Sequence, residues 1–138
     1  MTTIFSKIIA REIPADIIYE DDIVLAFLDI NPVNKGHLLV IPKTPSEDVL
    51  SMEPATLAHL VVVGQKIGQL LLKHLPCDGI NLGFNNGAAA GQEVFHTHLH
   101  IIPRHVDDNS FSHARHVTYE NGEASRLAAR LAILCEQI

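Results

Sequence analysis

Hydrophobic positions along this chain gather in short runs separated by clusters of turn formers. Five runs read as strands: "DIIYE" near Ile17, "IVLAFLDI" from Ile23, "HLLVIP" from His37, "GINLGF" from Gly79 and "HTHLHIIPR" from His96. "EDD", "NPVNKG" and "NNGAAAG" supply the turns between them. Between the third and fourth runs, "MEPATLAHLVVVGQKIGQLLLKHL" changes period. There Leu57, Leu60, Val61, Gly64, Ile67, Gly68, Leu71 and Leu75 recur at helical spacing, with Pro54 in the first turn, where it is tolerated. Gly64 and Gly68 fall on the buried face and have two readings, close packing or simple tolerance at a modest cost. A second helix is predicted over roughly Glu123 to Cys135, striped by Leu127, Leu131 and Leu134. Because tight turns favour antiparallel pairing, the pattern predicts one α+β domain over residues 1–138, with helices laid on an antiparallel sheet.

The last run carries the chemistry. In a strand, alternate side chains share a face, so His96, His98 and His100 are predicted on one side and Thr97, Leu99 and Ile101 on the core side. Residues two apart lie about 6.6 Å apart and residues four apart about 13 Å. A zinc ion needs its nitrogen ligands about 2.1 Å away, so His96 and His100 cannot easily share one ion, although a neighbouring pair plus a distant ligand could. The row suits nucleophilic chemistry better. A neutral imidazole, with a reference pKa of about 6.5, keeps a lone pair near pH 7. If its Nδ1–H is donated to a backbone carbonyl, Nε2 is aimed outward. The middle ring would attack phosphorus and divide one difficult step into two.

Composition narrows the partners. Apolar residues make up 47% of the 138, which argues against disorder. The net charge of −6, without a Lys/Arg cluster, argues against a nucleic-acid backbone footprint. A small phosphate can still be held by backbone N–H groups and histidines. The longest aliphatic run, Leu60 to Val63, is too short for a membrane span, and the opening residues lack a secretory h-region. Cys77 and Cys135 form no disulfide framework and fit a reducing compartment, hence the cytoplasm.

"HTHLHII" resembles the His-x-His-x-His motif of the histidine triad (HIT) superfamily, and "NNGAAAGQEVFHTHLHIIPR" is similar to that family's approach to its triad. "IFSKIIAREIPADIIYEDDIVLAFLDINPVNKGHLLVIPK" is similar to its N-terminal half, so the likeness runs over about residues 3–105 and fades over 106–138. The resemblance implies a homodimeric nucleotide hydrolase or transferase acting at the α-phosphate, with a sheet of about five antiparallel strands per subunit. It implies His98 as nucleophile, His100 as a phosphate contact, His96 in the hydrogen-bond network around the attacking ring and His37 as a fourth histidine beside them. It brings Asn85, Gly91 and Gln92 to the phosphate, with Gly87 and Gly91 permitting close backbone approach. Asp29, acceptor-only with two oxygens, would take the ribose diol. Ile4, Phe5, Ile8, Phe27 and Ile30 would hold a purine base. Without the resemblance, these five would be ordinary core residues and Asp29 an exposed acid closing a strand.

Two features depart from the family pattern. Some bacterial members hold a structural zinc through Cys-x-x-Cys near the start; here Thr3 and Ser6 stand in those places, so no metal or other cofactor is expected. Glu93 stands where the phosphoramidase branch often has Ser, and it could donate a proton or form a salt bridge. The exit "IIPR" resembles the dinucleoside-polyphosphate branch and bacterial relatives alike. The leading expectation is a purine nucleoside 5′-phosphoramidase working through a nucleotidyl-histidine. The alternatives are a dinucleoside-polyphosphate hydrolase, a regulatory module with incidental turnover and, last, a zinc enzyme.

Overall fold

The computed structural model describes residues 2–109 and 116–138, in two compact units, 1–108 and 109–138. Residues 110–115 of the C-terminal extension lie outside the described residues. In the first unit, α1 (Ile4–Ile9) precedes β1 (Ile17–Glu20), β2 (Val24–Leu28) and β3 (Leu38–Pro42). The long α2 (Pro54–His74), β4 (Gly79–Gly83) and β5 (Leu99–Arg104) follow. The sheet has five strands in the order β1-β2-β3-β5-β4, and every neighbouring pair is antiparallel.

Both faces of this sheet are covered, which explains why β2 and β3 read as nearly continuous apolar runs. Val24, Ala26, Leu38, Val40, Leu99 and Ile101 turn to one side and join Leu60, Val63 and Ile67 of α2. Leu25, Phe27, Leu39 and Ile41 turn to the other and join Phe5 and Ile8 of α1. By length and composition α2 could cross a membrane, yet its buried stripe is a core contact of this unit. That stripe differs in two places from expectation: Val63 is buried whereas Val61 is 40% exposed, and Leu75, the C-cap beyond the helix, is exposed as well. Asp21 pins α2 to the β1–β2 turn: it accepts the N–H groups of Ile23 and Val24 and the Tyr19 hydroxyl, and pairs with His59.

The predicted strand from His96 is corrected. β5 begins only at Leu99, because the Thr97 N–H is spent on Ser46 O (2.7 Å) rather than on β3. Thr97, Leu99 and Ile101 are nevertheless buried, as the alternation requires. α1 lies in a segment with no predicted element. A six-residue helix is unstable alone, and this one is held by burial of Phe5 and Ile8, worth about 1.5–3 kcal/mol each. In the second unit α3 (Glu123–Cys135) carries Leu127, Leu131 and Leu134 along one stripe.

Candidate active site

A cleft of about 410 Å³ opens on the α1 side of the sheet. It is walled by Ile4, Phe5 and Ile8 of α1, Phe27 of β2, and Asp29 and Ile30 just beyond β2; Glu93, His98 and His100 lie opposite. Ile30 stands at the rim, 89% exposed. Ile13, Pro14, Leu39 and Val94, with Ala15, Leu28 and Asn31, also line it, and the sequence reading did not assign them to the site. Ile13, Pro14 and Ala15 lie in "EIPA" and Val94 follows Glu93, but neither stretch has a period to mark it. Among the described residues, no lysine or arginine lines the cleft.

Backbone groups of fixed polarity set the histidine protons. His98 Nδ1 lies 2.7 Å from His96 O, a group that can only accept, so the proton sits on Nδ1 and Nε2 is bare. His98 Nε2 has no protein partner, and no buried side-chain polar atom among the described residues lacks one, so Nε2 is open to the cleft. His96, almost fully buried, lies with Nε2 2.9 Å from Pro42 O, which puts its proton on Nε2 and leaves Nδ1 as an acceptor. Its Nδ1 faces Thr3 Oγ1 at 3.2 Å. His37 Nδ1 accepts the Val33 N–H (3.0 Å), so the proton is on Nε2, between His100 Nδ1 at 3.0 Å and Asp29 Oδ2 at 3.5 Å. His100 therefore accepts at Nδ1 and presents Nε2–H to the cleft. The outcome is a bare nitrogen on His98 beside a hydrogen-bond donor on His100, with ring centroids 4.8 Å apart.

Burial pushes the His98 pKa below its ordinary value, against the pull of His96 O, Asp29 and Glu93. His96 and His37 are lowered mainly by burial as well. His100 falls furthest, to about 4, through burial and the nearby His98 and His37 rings. All four rings are accordingly neutral at pH 7, the state in which the proton positions above apply.

The loop before the triad is built around two glycines. Gly87 (φ 89°) and Gly91 (φ 92°) flank a tight turn at Ala88–Ala90 that a Cβ-bearing residue would strain. Gln92 is buried and its amide is fully used: Oε1 accepts the Gly87 N–H, and Nε2 donates to Glu47 O and Val94 O. Asn85 packs beside Gly91, and neither residue lines the cleft. Asp29 lines it, with Oδ1 accepting the Asn31 N–H at 2.8 Å. Arg104, at the far end of β5 from His100, pairs with Asp108 and donates to Asn81, and it does not line the cleft.

Among the described residues two places invite a metal, and neither fits one. Asp29, His37 and His100 bring ligand atoms within 4.8 Å of one another. However, His37 would have to bind through Nε2, moving its proton to Nδ1, directly against the Val33 N–H. At the chain start, Thr3 and Ser6 offer hydroxyls, which are poor zinc ligands, and both are already hydrogen-bonded to each other's backbone.

The HIT domain profile matches residues 10–107. Adenylylsulfatase HINT3 of Arabidopsis thaliana is 42% identical over 129 residues, covering 91% of this chain and 66% of that protein. A crystal structure of a HIT-family protein from Bacillus subtilis superposes with a TM-score of 0.85 at 38% identity, covering 96% of each chain. A zinc-bound histidine triad family protein from Mycobacterium smegmatis superposes with a TM-score of 0.75 at 39% identity, covering 100% of this chain and 99% of that one.

Proposed function

This chain belongs to the HIT family, and from that premise we propose that it hydrolyses a purine nucleoside 5′-phosphoramidate through a nucleotidyl-His98 intermediate. One observation carries the reading: His98 presents a bare Nε2 to the cleft while His96 O holds its Nδ1–H. The Nε2 lone pair attacks the α-phosphorus, and the phosphorus–nitrogen bond to the amine breaks. Attack leaves positive charge on the ring, which the His96 carbonyl and the Asp29 carboxylate stabilise. The amine departs with a proton, for which Glu93 is the candidate donor. Water then attacks phosphorus, giving its proton to the Glu93 carboxylate left by the first step, the phosphorus–Nε2 bond breaks, and the nucleoside monophosphate leaves. His100 Nε2–H donates to a phosphate oxygen, Asp29 accepts from the ribose diol, and the apolar wall takes the base. Asn85, Gly91 and Gln92 belong to the phosphate loop, with Gln92 holding its shape through Gly87.

A second reading has specific support: the Arabidopsis relative is an adenylylsulfatase. Sulfate leaves without a proton, so an adenylyl sulfate would use the same nucleophile and bypass Glu93. A dinucleoside polyphosphate is less well served, since no lysine or arginine of the described residues lines the cleft. We place the protein in the cytoplasm, in keeping with its two free cysteines, and infer a homodimer built on the open edge of β4.

Trapping tests the proposal. Brief incubation with labelled adenosine 5′-phosphoramidate and a rapid quench should leave the nucleotide on the peptide containing His98. His98→Ala should lose at least about three orders of magnitude in kcat, about 4 kcal/mol of barrier, with nucleotide affinity preserved. Full turnover by that variant would remove the covalent route; micromolar binding without wild-type turnover would favour the regulatory module.

A further inference from the structure

We propose that Thr3 is a positioning residue for His98: its hydroxyl, donated to His96 Nδ1, holds the residue whose carbonyl aims the nucleophile. The inference rests on the reading of His98 as the attacking group. Thr3 is the N-cap of α1, and its Oγ1 accepts the Ser6 N–H at 3.2 Å. Capping uses the oxygen only as an acceptor, so the hydroxyl hydrogen remains to be placed. Ser6 Oγ, 3.4 Å away, already accepts the Thr3 N–H and donates to Thr3 O. His96 Nδ1 is nearer, at 3.2 Å, and has no other partner. It belongs to an almost fully buried ring whose proton is committed to Pro42 O, so without Thr3 it would be a buried acceptor left unsatisfied.

The clasp therefore runs from the start of α1 to the attacking ring. Ser6 N–H donates to Thr3 Oγ1, Thr3 O–H to His96 Nδ1, and His98 Nδ1–H to His96 O. Phe5 moves with it, its ring edge-on to both His96 (5.9 Å) and His98 (5.1 Å).

Three substitutions separate capping from donation. Thr3→Ser keeps both. Thr3→Asp keeps an N-cap acceptor but has no hydrogen to give, and Thr3→Val removes both. With adenosine 5′-phosphoramidate, Thr3→Asp and Thr3→Val should lose about tenfold or more in kcat, the scale expected from a slightly misplaced reacting group, with KM changed less than about twofold. Thr3→Ser should recover most of the rate. Histidine 15N–1H NMR of the full chain should show protons on His96 Nε2 and His98 Nδ1 in wild type, and a shifted His98 signal in Thr3→Asp. Equal rates for Thr3→Asp and Thr3→Ser, or a His96 proton on Nδ1 in wild type, would overturn the clasp. Should wild type be inert to the amidate, the functional reading fails, while the His96 and His98 signals still decide this one.

Discussion

As the proposed nucleophile, His98 can attack only while unprotonated, and burial lowers its pKa. Below that pKa the lone pair is lost and the rate falls; above it the rate is flat. The acid limb of kcat/KM should thus inflect below the ordinary histidine value of about 6.5, and a pH series from 4 to 8 measures it. Glu93 divides the substrate classes. Glu93→Gln should slow the amidate, whose amine needs a proton, more than an adenylyl sulfate, whose leaving group does not. The ratio of kcat/KM values on wild type and variant checks this; equal slowing removes Glu93 as the proton donor. At this scale the sequence carried the titratable groups well, since His37, Asp29, Glu93 and the triad are chemically distinctive. It concealed Thr3 and Val33, whose parts depend on an O–H and an N–H meeting rings far along the chain or across a loop.

The elements explain which glycines matter. A Cβ on Gly64 would lie 2.4 Å from Leu99 Cδ2, whereas one on Gly68 would meet Ile80 and Leu82 at ordinary distances of 3.6 and 3.9 Å. Gly68→Ala should stabilise the protein by about 0.5–1 kcal/mol through helix propensity. Gly64→Ala must displace Leu99, the first residue of β5 and the neighbour of His98, so it should gain less or lose stability. Thermal melts of the two variants compare them directly. Period alone placed both glycines on the buried face; it could not distinguish close approach from tolerance. Period also misjudged two short stretches. α1 is little more than one turn, with Ser6 rather than Glu at the third position of its capping box. His96 and His98 alternate as strand residues do, yet the backbone there is bonded to Ser46, a partner no local pattern reveals.

For the whole molecule, buried neutral histidines tie stability to pH. Unfolded, each titrates near 6.5; folded, His100 titrates near 4 and His96 and His98 also lie low. Between those values the unfolded chain binds more protons, so stability is fully present above about pH 6.5 and declines as pH falls toward 4. Denaturant midpoints across that range should show the decline. The proposed homodimer makes a separate expectation. β4 is a sheet edge, and Leu82 on it remains 47% exposed beside α2. Leu82→Lys should convert dimer to monomer in light scattering, if β4 edges meet across a two-fold axis. Neither assembly nor turnover should require metal: the purified chain should carry no stoichiometric zinc, and chelator should leave its rate unchanged.

The order β1-β2-β3-β5-β4 has a consequence for how the protein comes to exist in a cell. β1, β2 and β3 pair with their neighbours in sequence and can assemble as soon as they are synthesised. β4 cannot join them, because its only partner in the sheet is β5, which is made later and slots between β3 and β4. A nascent chain therefore carries an unpaired, apolar edge on β3 until Arg104 has left the ribosome. His98 and His100 arrive with that last strand. The His98 ring meets Asp29, Glu93 and the apolar wall of the cleft only when the sheet closes, so an incomplete chain lacks the histidine side of that cleft.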